Sequence, residues 1–100
     1  AHIDWRIKRT HAGFRIVART DYPQPVHAVA TVVVPHELWG PVVEGAEMGL
    51  VQPRKARLIV EPGRQARLDI SVQAETDAWL TVKLAWHGRV DYKQVRIRGS

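Results

Sequence analysis

The sequence predicts an all-β fold, an antiparallel sandwich of two sheets with about seven strands. Apolar residues recur mostly at every second position, which is the period of a strand, while the helical spacing of three and four rarely lasts beyond one turn. Turns rich in Gly and Pro separate these segments at short intervals. The chain has 100 residues, of which 45% are hydrophobic, and this size and composition fit one domain with one core.

The first two strands are predicted on either side of a tight turn. Before it, three apolar residues alternate with three charged ones, namely Ile3, Trp5 and Ile7 with Asp4, Arg6 and Lys8. After it, Phe14 and Ile16 continue the alternation, and we expect Gly13 to supply a positive φ angle in the turn. Residues 21–25 contain two prolines, which lack the amide donor of a sheet ladder, and therefore end the second strand.

The third strand differs in kind from the others. Residues 26–34 are nearly all apolar and many are β-branched, which is typical of a central strand that is either buried on both faces or at the middle of a sandwich. Residues 35–53 then contain three prolines and three glycines without sustained periodicity. Because so long an irregular connection is unusual in a small domain, we expect a short edge strand near residues 41–43, a turn of helix, or a functional loop.

The second half of the chain is more regular. Strands are predicted at residues 57–60 and 66–72 around a type II turn with Pro62 and Gly63 at its centre. Residues 80–86 alternate cleanly, and His87 with Gly88 forms a hairpin into the last strand. In that strand the apolar parity changes at residues 93 and 94, a pattern that predicts a β-bulge.

The unit from Ala56 to Val72 comprises a strand, the turn sequence Val60-Glu61-Pro62-Gly63 and a second, alternating strand. In this unit and in its strand count, the chain resembles the immunoglobulin-like and fibronectin-III-like accessory domains of bacterial proteins. It lacks the Cys-Trp-Cys pattern of antibody-type domains. The resemblance implies an immunoglobulin-like sandwich that serves as a spacer, adhesion module or partner-binding unit, and it favours an exported or cell-surface location.

Residues suited to catalysis do not form a recognised pattern. Ser71 and Ser100 are the only serines, and neither lies in a nucleophile elbow. Asp4, Asp69 and Asp91 occupy predicted outward positions among basic residues, as in cross-strand ion pairs. We therefore expect no enzyme activity and no catalytic residue.

Metal and membrane sites are not predicted either. The chain has no cysteine, which excludes disulfides and thiolate zinc sites. The five histidines are His2, His11, His27, His36 and His87. No two of them have the spacing that places two metal ligands on one face of a strand or helix. We therefore expect no metal and no cofactor. The longest apolar run is far shorter than the about 20 residues of a transmembrane helix, so we also expect no transmembrane segment.

The net charge of +5 is unevenly distributed along the chain. Residues 21–53 carry four acidic and no basic residues, hence −4, whereas the remainder carries 15 basic and six acidic residues, hence +9. If they share one outer sheet face, eight residues form a basic platform: Arg6, Lys8, Arg15, Arg19, Arg67, Lys83, Arg96 and Arg98. Such a platform suits nucleic acid or another polyanion, and the alternative is a set of solvated charges that prevents aggregation.

The tryptophans differ in their predicted environment. Trp5 and Trp86 follow the inward parity of their strands and should pack in the core, whereas Trp79 has the opposite parity from its apolar neighbours and should be exposed. Trp39 lies in the acidic, apolar segment 35–53.

An apolar segment with a polar rim is typical of a partner-binding patch, in which tryptophan is a frequent hot spot. The candidate contact residues are Leu38, Trp39, Val42, Val43 and Met48. The alternative is a loop folded over the open end of the sandwich. The sequence thus favours a non-enzymatic structural or protein-interaction module of a larger protein or assembly, with contacts to a protein partner or a second copy through segment 35–53 and the sheet edges. The alternative is a small basic polyanion binder.

Overall fold

The computed structural model describes residues 1–33, 43–45, 54–72 and 77–98. Within them the chain forms eight strands and no helix. The strands are β1 (Ile3–Arg9), β2 (Gly13–Thr20), β3 (Val26–Val33), β4 (Val43–Gly45), β5 (Arg54–Val60), β6 (Ala66–Val72), β7 (Ala78–Trp86) and β8 (Arg89–Ile97). The seven longer strands agree with the predicted number. The three-residue β4 is a short edge strand close to the position where one was expected.

The strands form two four-stranded antiparallel sheets that pack face to face. Sheet A has the order β1-β2-β6-β4, and sheet B has the order β5-β3-β7-β8. The predicted all-β sandwich is therefore confirmed. The third strand is central, as predicted, because β3 lies between β5 and β7. It is not buried on both faces, since His27 and Val29 point outward and are exposed.

The core follows the alternation of the sequence. Every second residue of β1, β2, β3 and β7 points inward, and the inward residues form one apolar cluster. The largest side chains that are fully buried are Phe14, Ile16, Ile70, Leu80, Leu84, Val26, Val32, Val60 and Val82. Trp5 and Trp86 belong to this core and Trp79 is exposed, as their parities predicted.

Three predicted turns are present. Gly63 has φ +74°, and the amide of Arg64 donates to the carbonyl of Glu61 at 3.2 Å, which confirms the turn around Pro62 and Gly63. His87 and Gly88 both have positive φ, the conformation of a type I′ hairpin. The first hairpin is also confirmed, but the expected positive φ at Gly13 is wrong, because Gly13 already belongs to strand β2 and pairs with Ser71.

The predicted β-bulge in the last strand is wrong. Strands β7 and β8 pair without interruption from Ala78 opposite Ile97 to Trp86 opposite Arg89. The apolar parity changes because β8 is an edge strand whose inward positions are polar in one half and apolar in the other. The inward Asp91 and Lys93 both contact Trp5 of the other sheet.

Candidate functional site

The predicted apolar contact patch lies almost entirely outside the described residues. Leu38, Trp39, Val42 and Met48 lie outside the described residues. Val43 is the first residue of β4 and pairs with Val72, and only its backbone is described. A partner-binding role for these five residues stays a prediction.

The eight residues of the predicted basic platform do not share one face. Five of them occupy outward positions of sheet A: Arg6, Lys8, Arg15, Arg19 and Arg67. Lys83 and Arg96 point outward from sheet B, on the opposite side of the sandwich, and Arg98 directly follows β8. The eight basic residues are divided between two faces because their strands belong to two different sheets.

The outer face of sheet A mixes both signs of charge. Arg15 and Asp69 form a cross-strand ion pair at 2.6 Å, as predicted for Asp69, and this hydrogen bond raises the pKa of Arg15. Asp4 lies opposite Arg19 in the register. The predicted outward position is wrong for Asp91, which points toward Trp5 and accepts a hydrogen bond from its indole.

The outer face of sheet B carries the exposed apolar residues. Among the described residues, all five exposed large hydrophobic side chains lie on this face: Val29, Ile59, Trp79, Val90 and Tyr92. Their exposed fractions run from 37% for Val29 to 61% for Tyr92. Sequence reasoning assigned Trp79 an exposed position but missed Val90 and Tyr92. The change of apolar parity at residues 93 and 94, from which a bulge was predicted, was the signal that Val90 and Tyr92 point outward.

These residues adjoin one another in the register. Val29 pairs with Ala85, which pairs with Val90, so the three form one row across three strands. Tyr92 is the next outward residue of β8 after Val90 and lies opposite Lys83. Ile59 is opposite His27, one outward position from Val29. The row and its neighbours thus form an apolar band.

Basic side chains surround this band. Arg57 continues the row beside Val29, and Lys55 and Lys83 flank Thr31 in the next row. Arg96 lies farther along β8, opposite Trp79. No Asp or Glu occupies an outward position on the four strands of sheet B. We call this surface, made of Val29, Lys55, Arg57, Ile59, Lys83, Ala85, Val90 and Tyr92, the apolar-basic face.

In the part of the chain that the structure describes, no group of three or more His, Asp or Glu side chains is placed to hold a metal ion. No helix suited to crossing a membrane occurs among the described residues. Comparison with known proteins found no matching family model, no similar curated protein and no similar solved structure.

Proposed function

We propose that this domain is a non-enzymatic protein-interaction module that binds its partner through the apolar-basic face of sheet B. The partner surface would combine apolar side chains with acidic ones. The observation that carries the proposal is the apolar band, in which Val29, Ala85 and Val90 form one row with Tyr92 beside it.

The exposed apolar area supports a docking role. Ile59, Val90 and Tyr92 are each about half exposed or more. Val90 and Tyr92 adjoin each other on β8, and Val29 and Ala85 connect them across the sheet toward Ile59 on β5. Contiguous apolar patches with a polar rim mark interaction sites on soluble proteins, and tyrosine at such a patch is a frequent hot spot. Burial of this band would supply affinity, since apolar surface contributes roughly 25 cal/mol per Å² removed from water.

The charges around the band specify the partner. Lys55, Arg57 and Lys83 border it without any outward acidic residue on the same four strands. An acidic partner surface would complement them, whereas a second copy that presents the same face would bring like charges together. The charge pattern therefore favours a different, acidic protein over a symmetric dimer through this face.

The aromatic residues favour protein over single-stranded nucleic acid at this face. Trp79 lies opposite Arg96, about 13 Å along the strand direction from the position of Tyr92. Valine and isoleucine occupy the centre of the band, and they have no π-face on which a base can stack. A nucleic-acid platform would place its aromatic residues next to one another.

A second candidate function is polyanion binding through the outer face of sheet A. Lys8 lies opposite Arg15, and Arg6 and Arg67 lie on either side of Val17 in adjacent strands. Asp4 and Asp69 are interspersed, and Asp69 occupies the guanidinium of Arg15. This face is therefore less basic than the five cations alone would make it.

The resemblance to bacterial immunoglobulin-like and fibronectin-III-like accessory domains remains part of the proposal. Its support is the strand order, in which β2 pairs with β6 while β3 pairs with β7, so that successive strands from β2 to β7 alternate between the two sheets. Accessory domains of this class act as binding or spacing modules within larger proteins.

The experiment selects peptides from a random phage-displayed library on the immobilised domain and then titrates a synthetic copy of the selected peptide. We expect peptides that combine Asp or Glu with apolar residues. Val90→Thr and Tyr92→Ser should each weaken binding by about thirtyfold, which corresponds to the about 2 kcal/mol of a hot-spot residue. Both residues are exposed, so the fold should persist, as a circular dichroism spectrum would verify.

Matched charge variants separate the two faces. Arg57→Gln and Lys83→Gln should weaken peptide binding, whereas Arg6→Gln and Lys8→Gln, which remove equal charge from sheet A, should leave it unchanged. If instead a labelled oligouridylate binds with steep salt dependence and the sheet A variants abolish its binding, the second candidate replaces the first. Peptide binding that is indifferent to Val90→Thr and Tyr92→Ser would also refute the proposal.

A further inference from the structure

A cleft at one end of the sandwich is lined by three arginines. It lies between the β1–β2 turn and the end of β8, and its volume is about 400 Å³. The turn contributes Arg9, Thr10 and His11, and β8 with its following residue contributes Arg96 and Arg98. Its volume lies within the range of small-molecule binding sites.

The cleft has a strong positive charge. Among the described residues, no Asp or Glu lines it. Within the part of the chain that the structure describes, Arg9 and Arg98 form no ion pair, and Arg96 donates from Nη2 to Asp77 at 3.3 Å. Two guanidinium groups are therefore available to an anion, beside a third that is partly engaged.

The framework of the cleft is well defined. Thr10 and Gly13 close the turn through reciprocal backbone hydrogen bonds, and the amide of Gly13 also donates to Oγ1 of Thr10 at 3.1 Å. Ile97 is buried in the core between Arg96 and Arg98, which fixes the end of β8. A fixed backbone lowers the entropic cost of bringing the arginine side chains together around a ligand.

We propose that this cleft binds a small organic phosphate, with its phosphate group held by Arg9 and Arg98. The guanidinium fork donates two parallel hydrogen bonds to the oxygens of a phosphate, and several cations around one ligand favour a doubly charged anion over a single carboxylate. The cleft has space beyond one phosphate group, so the ligand carries an organic part. This site lies at the end of the sandwich and is separate from the apolar-basic face.

The experiment follows the amide resonances of ¹⁵N-labelled protein during titration with adenosine 5′-monophosphate, with sodium chloride adjusted to constant ionic strength. We expect saturable shifts at residues 9–13 and 96–98 and none of them with adenosine. Arg9→Gln and Arg98→Gln should each weaken binding by about tenfold, because each removes charge-assisted hydrogen bonds.

Arg64→Gln is the matched control. It removes the same charge from the turn between β5 and β6, which the register of β2 with β6 places at the opposite end of sheet A. Unchanged binding by this variant supports the proposal, and equal weakening by all three variants would overturn it. Equal shifts with acetate would overturn the assignment of phosphate. Binding of an oligouridylate without binding of the monophosphate would overturn the assignment of a small ligand.

Discussion

The indole Nε1 of Trp5 donates a hydrogen bond to Oδ2 of Asp91 at 2.7 Å and thereby connects the two sheets at their edges. Trp5 belongs to β1, an edge strand of sheet A, and Asp91 to β8, an edge strand of sheet B. The Nζ atom of Lys93 lies 5.2 Å from the centre of the Trp5 ring, a cation–π contact from the same strand. One side of the sandwich is therefore closed by a buried tryptophan and two polar side chains.

Replacement of the two buried tryptophans tests the value of this hydrogen bond. Trp5→Phe and Trp86→Phe remove similar ring volume, but Nε1 of Trp86 is buried and has no hydrogen-bond partner among the residues that the structure describes. We expect Trp5→Phe to cost about 2 kcal/mol more in free energy of unfolding, because Oδ2 of Asp91 loses its donor, while Oδ1 keeps the amide of Tyr92. Urea unfolding followed by circular dichroism measures the difference. Equal losses in the two variants would show that the hydrogen bond contributes little.

The same edge explains what the sequence could and could not predict. Alternation located the inward residues of β1 and β7, because one face of each strand is apolar throughout. It failed in β8, where Asp91 and Lys93 share the inward face with Val95. Their inward position depends on Trp5, which is 86 residues away from Asp91 in the chain, and no local pattern contains that information.

The composition of the candidate surfaces also depends on contacts between strands that are distant in the sequence. Sequence parity indicated that Arg6 and Lys83 each point outward, and both do. It did not show that they belong to opposite sheets, because strand order is set by long-range pairing. For the same reason the row of Val29, Ala85 and Val90 appears only once β3, β7 and β8 are known to be neighbours.

Val17 is a buried apolar residue on the charged outer face of sheet A. Only 4% of its surface is exposed, although it does not belong to the core cluster. Arg6 and Arg67 lie opposite it on the two neighbouring strands, and from this register we infer that their alkyl stems cover it. We expect Arg6→Ala to cost about 1 kcal/mol by exposing Val17. Lys8→Ala removes the same charge two residues along the strand and should cost less; equal losses in urea unfolding would contradict this role.

In the hairpin between β7 and β8, the requirement for glycine at position 88 comes from its backbone conformation and not from lack of space. Its φ is +73°, and a Cβ atom added there would meet no atom within 4 Å. Gly88→Ala should therefore cost about 1 to 2 kcal/mol purely from left-handed strain. Gly88→Asn should cost less, since asparagine tolerates this conformation. Thermal unfolding of the two variants checks the order, and a smaller loss for alanine than for asparagine would contradict it.

Asp21 should contribute stability that is lost in acid. Its Oδ1 accepts a hydrogen bond from the amide of His2 at 2.7 Å, and this bond holds the pKa of Asp21 below its ordinary value of 3.8. A lowered pKa in the folded state means that the contribution is present above pH 3.8 and disappears as the pH falls through the lower folded value.

Asp21→Asn keeps an acceptor oxygen for the His2 amide but cannot titrate. The variant should therefore lose less stability than the unchanged protein as the pH falls below 3.8, as measured by the shift in urea midpoint. His2→Ala provides the control, because it retains the backbone amide that is the main cause of the shift and removes only the ring, whose Nδ1 lies 3.8 Å from Asp21. It should retain most of the acid sensitivity. If His2→Ala abolished the effect while Asp21→Asn preserved it, the imidazole and not the amide would govern the acid response of this strand end.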